Sequence, residues 1–581
     1  MSNFGLRSRK GAIKKVKFAT FDIESSNWVN FKLLGFFDGN KYYEFYNVED
    51  FLNHILHKKY REFKIFAHNG GRFDFRFILE KTIDKYRINI IEVHGSLIQL
   101  RVYLGSGRDT VTFRDSYVLL PASLRELTET FNVEHKKKKI ENYNFDILTD
   151  KKREYLKFDC LGLYEVLSSF QILANKQGAN LRLSLASTSM DLFLRKYFPK
   201  DLPYIPNYRH REKIIRQAYF GGRTEALNRY GENLFYYDFN SLYPAVMAEN
   251  LFPVGNPAYI KHYKFNKNDI GFCNIRTDLP ERFIMPLPYR LNSMLTFPYG
   301  IINGYYPIVF LNMLKKLNID FTINEALLFT GKSIFKDFVN NLYKLRLENT
   351  GNALGYVLKT MLNSLYGKFG QHILQKEYIQ NPTEKQLIGL TIYDIDLNLW
   401  YKEKEITASY ILPALSAYVT AYGQEKIFTI MNELQTKVYY CDTDSIVTTE
   451  KLPTSTNLGE LKLEYIIKRG IFLTQKLYAF IDHKGKFHYR AKGYSKNDMA
   501  RNSLHFTWDD FERALDGDFS AFKIEYECLF GFKESLKRFN KMLYYGKKQK
   551  SIIDIETKRI FLKNSFLTKP LHLIEQNSIF K

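Results

Sequence analysis

Two short stretches limit what this chain can become. KVYYCDTDSIVTT (437–449) and FDIESS (21–26) each set two carboxylates into an apolar run that reads as a buried β-strand. Side chains two apart on a strand share a face. Asp442 with Asp444, and Asp22 with Glu24, are therefore expected to crowd together. Unpaired like charges near a core are costly. A divalent cation relieves that cost, and Mg²⁺ or Mn²⁺ suits hard oxygen donors.

Further acids and hydroxyls extend both patterns. Asp74 sits among aromatics in AHNGGRFDFRFI (67–78), after an Asn–Gly turn. REYLKFDCLGLYEVL (153–167) reads as a helix on which Tyr155 and Asp159, four apart, share a face. Each of these alone fits a cap, a turn or an exposed face. As a set they match two-metal phosphodiester hydrolysis, in which carboxylates hold the cations and a tyrosine hydroxyl orients water. YYDFNSLYPAVM (236–247) places Asp238 after a hydrophobic strand, with Asn240–Ser241 opening a turn or helix. Asp238 either caps that helix or completes a metal site with Asp442. In YVLKTMLNSLYGKFGQ (356–371), Lys359, Asn363 and Tyr366 recur at i, i+4, i+7. Such a stripe is a solvated face, or it holds a triphosphate and stacks on a base.

At 581 residues the chain is too long for one core and is expected to form several domains. With 85 Lys+Arg against 62 Asp+Glu the formal charge is +23, which implies a polyanionic partner, nucleic acid or an anionic membrane. No run reaches the length of a membrane span. The basic N-terminus MSNFGLRSRKGAIKKVKF has no apolar core and is not expected to be a secretory signal. Cys160, Cys273, Cys441 and Cys528 are far apart, so neither a zinc site nor a disulfide framework is expected, and a reducing compartment is the default.

FDIE, NGGRFD, YLKFD, DFNSLYP, KTMLNSLYG and YCDTDS stand in the order of exonuclease motifs I–III and polymerase motifs A–C. The chain thus resembles the family B DNA polymerases over roughly residues 18–495. AYFGG (218–222) resembles the YxGG motif, with Tyr219, Gly221 and Gly222, and KLY (476–478) resembles the KxY motif. The closest subgroup is the protein-primed polymerases of φ29-type phages, linear plasmids and adenoviruses. The resemblance implies an α+β multidomain fold: an RNase H-like 3′–5′ exonuclease domain and a right-hand polymerase with two terminal-protein-region insertions. The expected limits are exonuclease 1–185, palm 186–256 and 408–495, first insertion 257–333, fingers 334–370, second insertion 371–407 and thumb 496–581.

The resemblance also implies roles. Asp238, Phe239, Asp442 and Asp444 line the polymerase metal site, and Asp22, Glu24, Asp74 and Asp159 the exonuclease metals, two ions per site. Tyr155 orients water. A catalytic lysine lies in a Kxx-hydrophobic pattern that Lys137–Ile140 fits within HKKKKI, where neighbouring lysines leave the register open. Tyr243 excludes a 2′-hydroxyl; Lys359, Asn363 and Tyr366 bind the deoxynucleoside triphosphate. Ser25, Asn69, Phe73 and Ser116 hold the frayed 3′ end, with Tyr117 where a leucine is expected. Ser241, Gly367, Lys476 and Tyr478 join the YxGG residues on primer-template DNA. KESLKRFNKMLYYGKKQK (533–550) reads as a basic helix of the thumb.

The implied partners are template-primer DNA, single-stranded DNA and a terminal protein, the chain acting as a monomer or a 1:1 heterodimer with that protein, off the membrane. The implied activity is protein-primed replication with strand displacement and proofreading. A primer-independent family B polymerase is the alternative, and a subdomain at 257–333 argues against it. A nuclease with a degenerate polymerase half conflicts with the three intact carboxylates, and a reverse transcriptase with the linked FDIE segment. A phage host's cytoplasm and a mitochondrion carrying a linear plasmid both fit.

Overall fold

The computed structural model describes residues 5–573 apart from 94, 106–108, 141–143, 373, 381, 383, 385–386, 396–397, 406–407, 540, 552–557 and 563–564. Parts of the second insertion therefore lie outside the described residues. Two seven-stranded sheets organise the molecule. The first has the order Tyr42–Phe45, Asn30–Phe37, Phe18–Ser26, Lys64–Ala67, Thr110–Asp115, Ser96–Tyr103, Ile88–Val93. Its three central strands are parallel, and Phe21, Ile65 and Phe113 are fully buried. Parallel strands covered on both faces need such continuous apolar runs. The 28-residue helix Asp150–Gln177 packs against the Phe18–Ser26 strand, starting at a Thr149 cap and ending at Gly178 in the left-handed conformation.

The second sheet is antiparallel, in the order Thr224–Ala226, Val438–Asp442, Ser445–Thr448, Tyr230–Phe239, Leu461–Thr474, Leu477–Asp482, Phe487–Ala491. Its strands come from segments two hundred residues apart. The helices Lys336–Glu348 and Ala353–Phe369 pair beside it, and the apolar helix Pro413–Leu434 lies beneath.

A third, four-stranded antiparallel sheet of Phe252–Lys261, Thr322–Lys332, Ile270–Leu279 and Gly300–Pro307 packs against the helix Pro413–Leu434. The segment expected as an inserted unit at 257–333 falls within this sheet, whose first strand starts at Phe252. The strands Leu374–Gln380, Leu399–Glu405 and Thr391–Asp394, in the segment expected as a second insertion, form a three-stranded sheet. Tyr378, 5% exposed, reaches the core of the first domain, as do Phe532 and Leu536 from the helix Phe532–Phe539.

The basic piece at 533–550 is only half helical. It leaves the helix at Phe539 and continues as the strand Tyr545–Lys550, antiparallel to Ile524–Leu529. Glu527 faces Lys547 in that register, and opposite charges across a ladder favour the pairing. Among the described residues no helix is long and apolar enough to cross a membrane.

Candidate active sites

The Phe18–Ser26 strand delivers Asp22 and Glu24 to one face, as strand alternation requires. Their carboxylate oxygens and that of Asp159, on the long helix, lie within 4.8 Å of one another. Asp74 opens the helix Asp74–Thr82, where the helix dipole favours an acid, and accepts the Ile23 N–H at 2.9 Å. Burial, then the Asp159 charge, pushes Asp22 up to about 7. Burial followed by Asp22 and Asp159 holds Glu24 well above its ordinary value, and burial with Asp22 does the same to Asp74. Burial also raises Asp159, against the pull of Lys137.

Of the lysine run, Lys137 is the one that enters this site. Its ammonium donates to the Tyr155 hydroxyl at 2.7 Å and to Asp159. Lys138 instead pairs with Glu154 at 2.6 Å. The segment is fixed by Glu165, which accepts from the His135 backbone N–H at 3.0 Å. Gly162 lets His135 approach, because a Cβ there would sit 2.3 Å from the His135 carbonyl oxygen. That contact spans the register which sequence left open.

Asn69 stands exposed in the left-handed conformation, and Phe73 and Ser25 are half-buried beside the acids. Ser116 differs from expectation. It is fully buried, with its hydroxyl against His68 Nδ1 at 3.0 Å and donating to the Ala67 carbonyl at 3.2 Å. A side chain so enclosed does not reach a DNA strand; its neighbour Tyr117 is exposed.

In the second sheet, Asp442 ends its strand and Asp444 lies in the turn, not in a strand. Asp442 pairs with Ser445, leaving Thr443 and Asp444 as a two-residue hairpin loop with Thr443 at φ 61°. The turn, not strand alternation, sets the two acids. Asp238 faces Ser445 on the adjoining strand. Burial, then Asp444, raises Asp238 to about 6, and burial raises Asp444. The Asp444 carbonyl accepts the Phe239 N–H at 2.8 Å. Lys476, left-handed at φ 57°, places its ammonium 3.0 and 2.9 Å from the two Asp442 oxygens. Its backbone N–H donates to the Tyr440 hydroxyl at 2.9 Å, and the Tyr478 ring lies 5.0 Å from that of Tyr440.

The YxGG segment abuts this hairpin. A Cβ on Gly222 would lie 2.6 Å from the Thr443 hydroxyl, and the Arg223 carbonyl accepts the Thr443 N–H at 2.6 Å. A Cβ on Gly221 would meet open space, and Tyr219 packs on Gly370. Thr224 donates to Asp442 at 3.1 Å. Tyr243 lies against Tyr366, ring centroids 4.5 Å apart. Ser241 is left-handed, and its hydroxyl accepts from Arg346 at 2.9 Å. Lys359, Asn363 and Gly367 line the exposed face of their helix.

Sequence reasoning missed several supports. Gly423 seats Tyr243, since a Cβ there would fall 2.9 Å from that ring. Glu225, next to Thr224, is buried between Arg223 and Arg559, at 2.6 and 3.3 Å. Lys558 donates to the Thr224 carbonyl at 2.9 Å, and the Thr568 N–H to the Leu227 carbonyl at 3.0 Å. The same late segment lies against Leu473, Thr474 and Gln475, the turn that presents Lys476. No local pattern in TKRIF announces a partner so far away. The donor sets of both sites are all oxygen and acidic, which fits hard divalent cations rather than zinc or copper.

A family model described as DNA polymerase type B, organellar and viral, matches residues 56–147 and 138–451. A probable DNA polymerase of Ascobolus immersus is 27% identical over 71% of this chain and 40% of its own length. The DNA-directed DNA polymerase of Enterobacteria phage PRD1 is 26% identical over 81% and 84%. This chain spans about half the length of the fungal relatives it matches. The phi29 DNA polymerase complexed with primer-template DNA and incoming nucleotides superposes with a TM-score of 0.73, at 20% identity, over 93% of this chain and all of that one. The fold is therefore the α+β assembly of an exonuclease domain with palm, fingers and thumb. On the extent of the family match, this chain belongs to the type B DNA polymerases of organelles and viruses.

Proposed function

We propose that this protein is a DNA-directed DNA polymerase with a separate 3′–5′ proofreading exonuclease, and that it starts synthesis on a terminal protein. The observation that carries the reading is that each seven-stranded sheet of a single chain carries acids: Asp22 and Glu24 beside Asp159 on the first, and Asp238 and Asp442, both opposite Ser445, with Asp444 in the adjoining turn on the second. Divalent cations bound there supply charge neutralisation and activation of the attacking oxygen. Asp22, Glu24, Asp74 and Asp159 would hold them in the exonuclease, and Asp238 and Asp444, with the Phe239 backbone, in the polymerase.

The protein's own groups do the rest. Lys137 holds the Tyr155 hydroxyl and Asp159 together, which places the phenol beside the acid cluster, where it would orient the attacking water. Lys476 and Thr224 fix Asp442 from two sides, and the Lys462 ammonium lies 3.6 Å from Asp238. Tyr243, wedged between Tyr366 and Gly423, fills the space a 2′-hydroxyl would need. Lys359 and Asn363 stand free for the triphosphate and base pair.

Protein priming draws support from the extra four-stranded sheet, which offers a surface beside the palm for a terminal protein. Strand displacement draws support from Tyr378 and from Phe532 and Leu536, which dock two separate late segments into the exonuclease core. Both host compartments named above suit a family of organellar and viral enzymes.

The test uses a labelled primer-template and a labelled single strand. Asp22→Ala with Glu24→Ala should abolish degradation of the single strand and preserve extension, and Asp444→Ala should do the reverse. Loss of both activities in either variant would overturn the two-site reading. Formation of a nucleotide–protein adduct with a co-expressed small basic protein tests priming.

A further inference from the structure

The hairpin tip after the Glu24 strand holds a conformationally costly residue. Asn27 and Trp28 are both left-handed, at φ 50° and 66°. Asparagine tolerates this; tryptophan, with a bulky side chain, does so at a cost. Backbone strain in a ring-bearing residue at the edge of a site is a pointer to use. The indole does not fill the domain core. It remains half-buried, and three groups meet it. Phe73, the residue before Asp74, approaches edge-on with centroids 6.0 Å apart. Tyr545, on the thumb strand, lies near-parallel at 13° with centroids 5.9 Å apart. Arg501, from the thumb helix Lys496–Arg501, sets its guanidinium 4.5 Å over the indole.

Two parallel aromatic faces beside an exposed cation are the chemistry that holds unpaired nucleobases. A paired base has both faces covered by its neighbours in the duplex and cannot enter. We propose that Trp28, Tyr545 and Arg501 form a binding station for unpaired bases near the 3′ end of a DNA strand, one ring outward from Phe73. A base enters between the two rings, exchanging one ring–ring contact for two ring–base contacts, and Arg501 faces the adjoining phosphate. Half of the station belongs to the exonuclease domain and half to the thumb, so a frayed strand is taken up as it leaves the thumb. The ligand is single-stranded DNA recognised by base faces, not by sequence. This inference rests on the exonuclease reading above.

The test places 2-aminopurine second from the 3′ end of a 12-nucleotide single strand, with EDTA present to prevent digestion. Wild-type protein should quench its fluorescence. Trp28→Gly and Tyr545→Ala should lose the quench and bind the strand about tenfold more weakly. Trp28→Phe should retain both. With Mg²⁺, Trp28→Gly should remove a mismatched primer end about tenfold more slowly and extend a matched primer normally. Glycine suits φ 66°, so the melting temperature of Trp28→Gly should not fall through backbone strain. Unchanged quench and affinity in Trp28→Gly would overturn the station and leave the contact as a clasp between domains. If wild-type protein quenches the probe but digests no single strand, the exonuclease reading fails and the station stands.

Discussion

Lys476 reaches across the hairpin that carries Asp442 and binds both oxygens of its carboxylate, at 3.0 and 2.9 Å. Lys476 adopts φ 57° to do so, and the Tyr440 hydroxyl holds its backbone N–H. The ammonium therefore fixes the rotamer of Asp442, and under the proposed function it is the group that would meet a primer phosphate. Lys476→Met should lower primer extension by at least about tenfold, the cost of one lost charge-assisted contact. Single-strand degradation, on the other sheet, should be unchanged. Lys476→Arg should recover part of the loss. Steady-state extension and degradation of the same strand check both statements.

Tyr243 has little room to move, being bounded by Tyr366 at 4.5 Å and by Gly423. Tyr243→Val should open that space and raise ribonucleotide incorporation relative to deoxynucleotide by about a hundredfold, a difference of roughly 3 kcal/mol of lost steric exclusion. Competitive extension with the two nucleotides measures it. An unchanged ratio would move the sugar discrimination to another residue.

The acid cluster makes the metal-free protein pH-sensitive. In the folded chain Asp22 titrates near 7, against an ordinary value of 3.8. The folded state then binds its proton more tightly than the unfolded state does. No penalty exists below about pH 4; stability falls as pH rises from there to about 7, and is level above that. The penalty is on the order of 4 kcal/mol for this group. Thermal melts in EDTA should show Asp22→Asn gaining several degrees over wild type at pH 8 and much less at pH 4.5. Adding Mg²⁺ at pH 8 should narrow the gap.

Tyr378 ties the second insertion to the exonuclease domain, 5% exposed among residues of that core and opposite Tyr401 in the hairpin register. If this contact closes a path around the template, Tyr378→Ala should release it at a cost of about 3 kcal/mol in local packing. Products on a primed circle under single-binding conditions should shorten, most of all where a downstream duplex must be opened. Fill-in of a short open template should persist. Long products through duplex would instead assign processivity to general basic contacts, whose grip falls steeply with salt.

The sequence made part of this architecture legible. Strand alternation foretold that Asp22 and Glu24 share a face, and helical spacing foretold the face with Lys359 and Asn363. It misled where a turn replaced a strand. Asp442 and Asp444 are set by a two-residue loop with Thr443 left-handed, and alternation cannot describe that. Ser116 reads like an exposed site residue, yet His68 and the Ala67 carbonyl draw its hydroxyl inward. The lysine register depended on Glu165 and Gly162, neither of them in the lysine run. The partnership of Glu225 with Arg559 joins residues 334 positions apart, beyond the reach of any periodicity.

That last pairing has a temporal side. A ribosome releases residues 22 to 159, with all four acids of the first site, long before it reaches Arg559. Until then Glu225 lacks its Arg559 partner, and the Thr224 carbonyl of the edge strand beside Asp442 lacks the Lys558 ammonium. The two sites are thus completed in a fixed order during synthesis, since domains generally fold as units from the N-terminus. A chain refolding from denaturant has no such order. It must close a loop of 334 residues before the edge strand beside Asp442 is held by Arg559, a slow non-local step. The molecule is built to finish the acidic site of its second sheet last.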